Sequence, residues 1–173
     1  VREVGGERVS VTVFAKGPED PHFLDAKPSF IKALSRADLY IQVGMELESG
    51  WAPVLLKNAR NAKVLPGAKG YLDASTVIDP LEVPAGIVDR SMGDVHPAGN
   101  PHYLLDPLNG LKVAALIRDR LSDLAPGGGT YFEEHFTAFR RKMGVALVGE
   151  PLAGKYGPEK LALLYQAGKL AEF

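Results

Sequence analysis

Short apolar runs alternate with polar loops along the first half of the chain, and this pattern predicts strands and helices in turn. Val9–Phe14 is β-branched and bounded by glycine, which predicts a strand. A helix is predicted from Pro28-Ser29, because apolar residues then recur at helical spacing. The nearly all-apolar run Leu39–Val43 predicts a second strand, one that is covered on both faces.

The same alternation continues further along. Trp51–Ala59 predicts a helix, Lys63–Leu65 a short third strand, and Thr76–Ile78 a brief further strand. Helices and strands that follow one another in this way favour a parallel sheet with helices on its faces. Ligands of such sheets bind in loops beyond the carboxyl ends of the strands, and His22 lies in a loop of that kind.

Two long helices are predicted in the second half. Pro107–Leu124 carries one apolar stripe, and Asp106 before it is a favourable N-cap because its carboxylate can accept from free N–H groups of the first turn. Tyr131–Val148 is the next predicted helix. Thr130 is its expected cap, and Glu133 completes a capping box.

The end of the chain is predicted to be broken and helical. Gly149–Gly157 interrupts the pattern, and short helices are expected around Pro158–Ala167 and from Lys169 onward. The fold class is therefore α/β, with a parallel-sheet lobe flanked by helices, a long linking helix and short C-terminal helices. The expected domains are residues 1–125, an α/β lobe, and residues 126–173, a backbone helix with a helical extension.

Composition narrows the function classes. A 46% hydrophobic content supports one sizeable core, while a net charge of -1 with interspersed signs argues against a nucleic-acid partner. The chain has no cysteine, so any metal must be held by His, Asp, Glu or water. No apolar run is long enough to span a bilayer, and no signal peptide is visible. The opening Val1–Gly6 resembles the end of a helix, so a fragment or processed form is expected.

The loop of residues 89–107 is the main candidate for a site. It is rich in Gly and Pro and holds His96 and His102, and a histidine on a rigid loop is typical of a metal ligand or a catalytic base. The alternative for any one loop histidine is a solvated or capping residue. His135 lies within a predicted helix and is expected at the surface, outside any site.

Three motifs in order resemble those of one protein family. Asp20-Pro-His22 with Pro28-Ser29 is the first, Gly44-Met-Glu-Leu-Glu48 followed by Trp51 is the second, and Asn100-Pro-His102-Tyr-Leu-Leu-Asp-Pro107 is the third. Together they resemble the zinc- and manganese-binding solute-binding proteins of bacterial ABC importers. The resemblance covers about residues 1–124, and residues 130–143 resemble the start of that family's long backbone helix.

The resemblance implies two α/β lobes joined by a rigid helix, with a metal held by two histidines of the first lobe and two further side chains of the second. His22 corresponds to the first ligand and His102 to the second. His96 is expected to be a guiding or accessory ligand. The chain is expected to lack the second lobe, and with it the third and fourth ligands. Asp94 could orient a ligand histidine, whereas Glu46 and Glu48 are expected to be structural.

The implied function is capture of a divalent transition metal, zinc first and manganese next, as the transported ligand delivered to a membrane permease. Such a protein is not an enzyme and is periplasmic or otherwise extracytoplasmic, with membrane anchoring an option in the full-length form. One alternative is a metal-dependent hydrolase that uses His22 and His102 with a bound water. Another is a metal-free interaction module. The apolar C-terminal segment is expected either to fold back on the lobe or to mediate self-association.

Overall fold

The computed structural model describes residues 1–86, 88 and 95–169, and the chain forms two compact units. One unit combines Val1–Val9 with the chain from Asp106 onward, and the other is Ser10–Leu105. The chain therefore passes from one compact unit to the other after Val9 and after Leu105. The division into an α/β lobe of residues 1–125 and a helical part of residues 126–173 stays a prediction.

The Ser10–Leu105 unit contains a parallel sheet and two α-helices, which confirms the predicted α/β class. The sheet consists of β1 (Tyr40–Gln42) and β2 (Tyr71–Asp73). The helices are α2 (Pro28–Leu34) and α3 (Ala52–Ala59). Both helices and β1 contribute to one apolar core, whose buried members are Phe30, Leu34, Tyr40, Trp51, Ala52, Leu55, Leu56, Ala59 and Val64.

The predicted strand at Val9–Phe14 is wrong, because β1 and β2 are the two members of the described sheet. Val9 does have extended backbone angles. At the other end of the segment, Phe14 stacks on Phe30 with ring centroids 4.4 Å apart. A β-branched run favours extended backbone, but only a partner strand makes it part of a sheet.

Two further strand predictions are also wrong. Ala62–Val64 and Ala74–Val77 are 3-10 turns. Each turn is closed by the side chain before it: Asn61 accepts from the N–H of Lys63, and Asp73 accepts from that of Ser75. Local capping of this kind competes with strand formation. The partner of β1 is instead Tyr71–Asp73, which had no clear pattern.

The other unit is helical. Its members are α1 (Arg2–Gly5), α4 (Pro107–Leu124), α5 (Gly129–Val148) and α6 (Glu150–Gln166). The bounds of α4 agree with the prediction, and Asp106 caps it by accepting from the N–H of Leu108 at 2.8 Å. The predicted stripe of α4 is buried at Val113, Ala114, Ile117 and Leu121.

The predicted cap of α5 is wrong. Thr130 lies inside the helix, which begins at Gly129, because a 3-10 turn at Pro126–Gly128 already brings the backbone into helical geometry. Glu133 is therefore not part of a capping box and instead pairs with Arg118 at 3.1 Å. Two aromatic residues of α5, Phe132 and Phe136, are buried.

The predicted break at Gly149–Gly157 is narrower than expected. Residues from Glu150 are already helical, and α6 is interrupted at Gly157, which has φ 72° and ψ 159°. Beyond Lys169 the predicted last helix lies outside the described residues. Leu163 and Tyr165 are exposed on α6. Self-association through this segment stays a prediction.

Among residues 1–86, 88 and 95–169, no helix combines the length and apolarity needed to cross a bilayer.

Candidate metal centre

His22 lies in a turn that is closed by its neighbour Asp20. The Asp20 Oδ1 atom accepts from the main-chain N–H of His22 at 2.9 Å and lies 2.7 Å from its ring Nδ1. These contacts, first the main-chain one and then that of the ring, hold the pKa of the Asp20 carboxyl below its ordinary value. An ionised carboxylate can only accept, so the ring hydrogen of neutral His22 is on Nδ1. The lone pair of Nε2 is then available to a metal.

His102 is held in the same way by Asn100. The Asn100 Oδ1 atom accepts from the main-chain N–H of His102 at 2.9 Å and lies 2.9 Å from its Nδ1. The amide nitrogen of Asn100 donates to Glu82 at 2.7 Å, which assigns the oxygen to the side facing His102. The neutral His102 ring therefore also carries its hydrogen on Nδ1 and presents Nε2 as a ligand atom.

The structure brings all three candidate histidines together. His22 Nε2 lies 3.2 Å from His96 Nε2, and the His22 and His102 ring centroids are 5.5 Å apart. Two nitrogens bound to one tetrahedral zinc at ~2.0–2.1 Å would be about 3.3–3.4 Å apart. The His22–His96 separation is thus close to that of two ligands of one ion, although the sequence predicts only a guiding or accessory role for His96.

His96 nevertheless differs from the other two rings. Because His22 Nε2 carries a lone pair, the hydrogen shared across the 3.2 Å contact belongs to His96 Nε2. That atom must give up its hydrogen before it can bind a metal. His22 and His102 are therefore preset as ligands, and His96 is not.

The three rings do not converge fully. Within residues 1–86, 88 and 95–169, no three or more His, Asp or Glu side chains are arranged so that they could hold one metal ion together. Asp94, which was expected as an orienting residue, lies outside the described residues. The described cluster is a contacting pair of imidazoles with a third ring beside it.

Each preset histidine is adjacent in sequence to a residue that is hydrogen-bonded to one turn of the chain. The Trp51 indole N–H donates to the carbonyl of Pro21 at 2.8 Å. The Tyr103 hydroxyl donates to the carbonyl of Val43 at 2.6 Å. Val43 directly follows β1, so the histidine loops are attached beyond the carboxyl end of that strand, where ligands of parallel sheets commonly bind.

Residues 43–51 form a turn (the 43–51 turn) that is held closed by the buried side chain of Glu48. This carboxylate accepts from the N–H groups of Val43 at 2.7 Å and Gly44 at 3.1 Å. Burial raises the pKa of Glu48 above its ordinary value, against the lowering effect of these two bonds. The turn also contains positive φ angles at Met45 and Glu46, a conformation that costs about 1–2 kcal/mol for a residue with a Cβ. The structural role expected for Glu48 is thus specific: it closes this turn.

Other candidates do not join the cluster. His135 belongs to the helical unit, where its ring lies 4.3 Å from that of Tyr131 and its Nδ1 3.3 Å from the carbonyl of Glu3. It is half-buried rather than a plain surface residue. Asp106 is occupied as the cap of α4. Trp51 and Tyr103 were not expected as site residues, although each lies in a recognised motif.

The chain is similar in sequence to proteins of metal uptake. The family model described as "ZnuA: Zinc-uptake complex component A periplasmic" matches residues 1–145. The chain is 30% identical over 141 residues to the manganese-binding lipoprotein MntA of Halalkalibacterium halodurans, covering 80% of this chain and 40% of that protein. It is 27% identical over 145 residues to the metal ABC transporter substrate-binding lipoprotein SloC of Streptococcus mutans, covering 82% and 44% respectively.

A solved structure agrees with these matches. The crystal structure of ZnuA superposes with a TM-score of 0.65 at 28% identity, over 82% of this chain and 50% of that one. The chain therefore spans half or less of the lengths of these relatives. Their names describe binding proteins rather than enzymes, which argues against the hydrolase alternative. Because the family model covers most of the sequence, this chain belongs to the ZnuA family of metal-uptake proteins.

Proposed function

We propose that this chain captures a divalent transition metal for an ABC importer, with His22 and His102 as ligands and His96 as an accessory ligand. The observation that carries the proposal is the repeated Asx-Pro-His arrangement. Both Asp20 and Asn100 bind the ring Nδ1 of the histidine two residues later. Two rings from separate loops thereby offer Nε2 lone pairs within one cluster.

Zinc is proposed as the favoured metal, with manganese second. The clustered donors are imidazoles, and Asp20 is already engaged with a histidine ring. Imidazole suits zinc, whereas manganese favours carboxylate, carbonyl and water oxygen. The family description names zinc uptake and one relative's name gives manganese binding, so these names do not rank the two metals. The order zinc before manganese is supported by the donor chemistry.

The remaining parts of the proposal follow the family. The metal would be transported cargo, passed to a membrane permease, and the site would operate outside the cytoplasm. The word "periplasmic" in the family description and "lipoprotein" in the relatives' names support this location.

Calorimetric titration of the chain with Zn²⁺ and Mn²⁺ tests the proposal. We expect saturable binding of one ion, tighter for zinc, and a loss of about tenfold or more in affinity in His22→Gln and in His102→Gln. His135→Gln is the matched control, because His135 is in the helical unit. This substitution should leave the zinc affinity unchanged. The proposal fails if zinc does not bind, or if His22→Gln and His102→Gln both bind zinc like the wild type.

A further inference from the structure

The two histidine loops are attached to the same short segment. The carbonyl of Val43, at one end of the 43–51 turn, accepts from the Tyr103 hydroxyl. The indole of Trp51, at the other end, donates to the Pro21 carbonyl. Tyr103 directly follows His102, and Pro21 directly precedes His22, so each bond acts one residue away from a candidate ligand.

The turn has internal bonds that fix its shape. Glu48 accepts from the N–H groups of Val43 and Gly44 through its two carboxylate oxygens. The carbonyl of Glu48 in turn accepts from the N–H of Trp51 at 3.2 Å. One buried residue, only 7% exposed, thus connects both ends of the turn.

From this connection we infer that the 43–51 turn sets the spacing between His22 and His102, with Tyr103 and Trp51 as positioning residues and Glu48 as the bond that keeps the turn closed. The inference rests on the proposed function, since the spacing matters only if both rings serve one ion. Tyr103 would then position the adjacent His102 through its hydrogen bond to Val43.

Tyr103→Phe tests this role, because it removes the hydroxyl group that donates to Val43 and keeps the buried ring. Tyr40→Phe is a closely matched control. Both tyrosines are buried in the same unit, at 8% and 6% exposure. Among the described residues the Tyr40 hydroxyl has no hydrogen-bond partner, whereas that of Tyr103 donates at 2.6 Å.

Two measurements on the whole chain test the role. Imidazole NMR of metal-free protein reports which ring nitrogen of His102 is protonated, and calorimetry with Zn²⁺ reports affinity. In Tyr103→Phe we expect altered His102 ring signals and zinc affinity lowered about tenfold, the scale usual for residues that support a ligand. In Tyr40→Phe both readouts should match the wild type.

The outcomes separate this inference from the proposed function. His102 signals that are the same in Tyr103→Phe as in the wild type overturn the positioning role, whether or not metal binds. Unaltered zinc affinity in Tyr103→Phe, with a wild type that binds, also overturns it. If the wild type fails to bind zinc while the His102 signals respond as expected, the proposed function fails and the positioning of His102 stands. A lower unfolding temperature without either change marks Tyr103 as merely structural.

Discussion

Asp20 accepts two hydrogen bonds from His22, one from its main-chain N–H and one from its ring, through the same carboxylate oxygen. Asn100 repeats both contacts with His102. In each case a proline separates the two residues and restricts the backbone between them. The same three-residue design thus prepares two rings from distant parts of the sequence.

The Asp20 contact predicts a graded effect on metal binding. Asp20→Ala removes the acceptor for His22 Nδ1, and zinc affinity should fall about tenfold to a hundredfold, because the ring loses its fixed tautomer and orientation. Asp20→Asn should lose less, since it reproduces the arrangement at Asn100. Calorimetric titration measures both. Equal affinities in the wild type and Asp20→Ala would contradict the orienting role.

Glu48 predicts a pH dependence of stability. Burial raises its pKa in the folded state, so the folded chain holds this proton more tightly than the unfolded chain. The free energy of unfolding should therefore decrease as pH rises from the ordinary carboxyl pKa through the raised one. Urea unfolding at a series of pH values measures the trend. The part of the pH dependence that Glu48 causes should be missing in Glu48→Gln.

Glu46 supplies a control for that experiment. It lies on the same turn but is exposed. Glu46→Gln makes the same change of charge and should retain the pH dependence seen in the wild type. A pH trend in Glu48→Gln that matches the wild type would exclude Glu48 as its source.

Alanine substitution at Gly44 should destabilise the fold more than the same substitution at Gly67. Both have φ of 88°. A Cβ on Gly44 would collide with the Asp73 carboxylate, whereas one on Gly67 meets no atom within 4 Å. Gly67→Ala should cost about 1–2 kcal/mol of unfolding free energy, from the positive φ alone. Gly44→Ala should cost more, because Asp73 must also move. Similar losses in chemical denaturation would contradict the packing at Gly44.

The core of the Ser10–Leu105 unit predicts a similar contrast on α3. Leu55 is fully buried, and its neighbour Val54 is 53% exposed. Leu55→Ala should lower the free energy of unfolding by about 2–5 kcal/mol, since it removes buried methyl groups and leaves a cavity. Val54→Ala should change it by about 0.5 kcal/mol or less. Denaturant titration of both variants compares them directly, and an equal effect would place the core elsewhere.

The sequence determined the features whose cause is local. Asp106 and Pro107 define the start of α4 because capping needs only adjacent residues. The helical spacing of its apolar residues likewise predicted which face is buried. The α/β class and the family could also be predicted from the sequence. Both depend on the order of elements and motifs along the chain rather than on exact contacts.

The tertiary structure decided what depends on partners distant in sequence. The β-branched segment Val9–Phe14 is not a strand, while Tyr71–Asp73 is one, because sheet formation depends on a neighbouring backbone. His96 meets His22 across 74 positions of sequence, although His102 had been the expected partner. Local pattern could place each histidine in a loop, but the distance between loops is set by the bonds and packing that the folded chain makes between them.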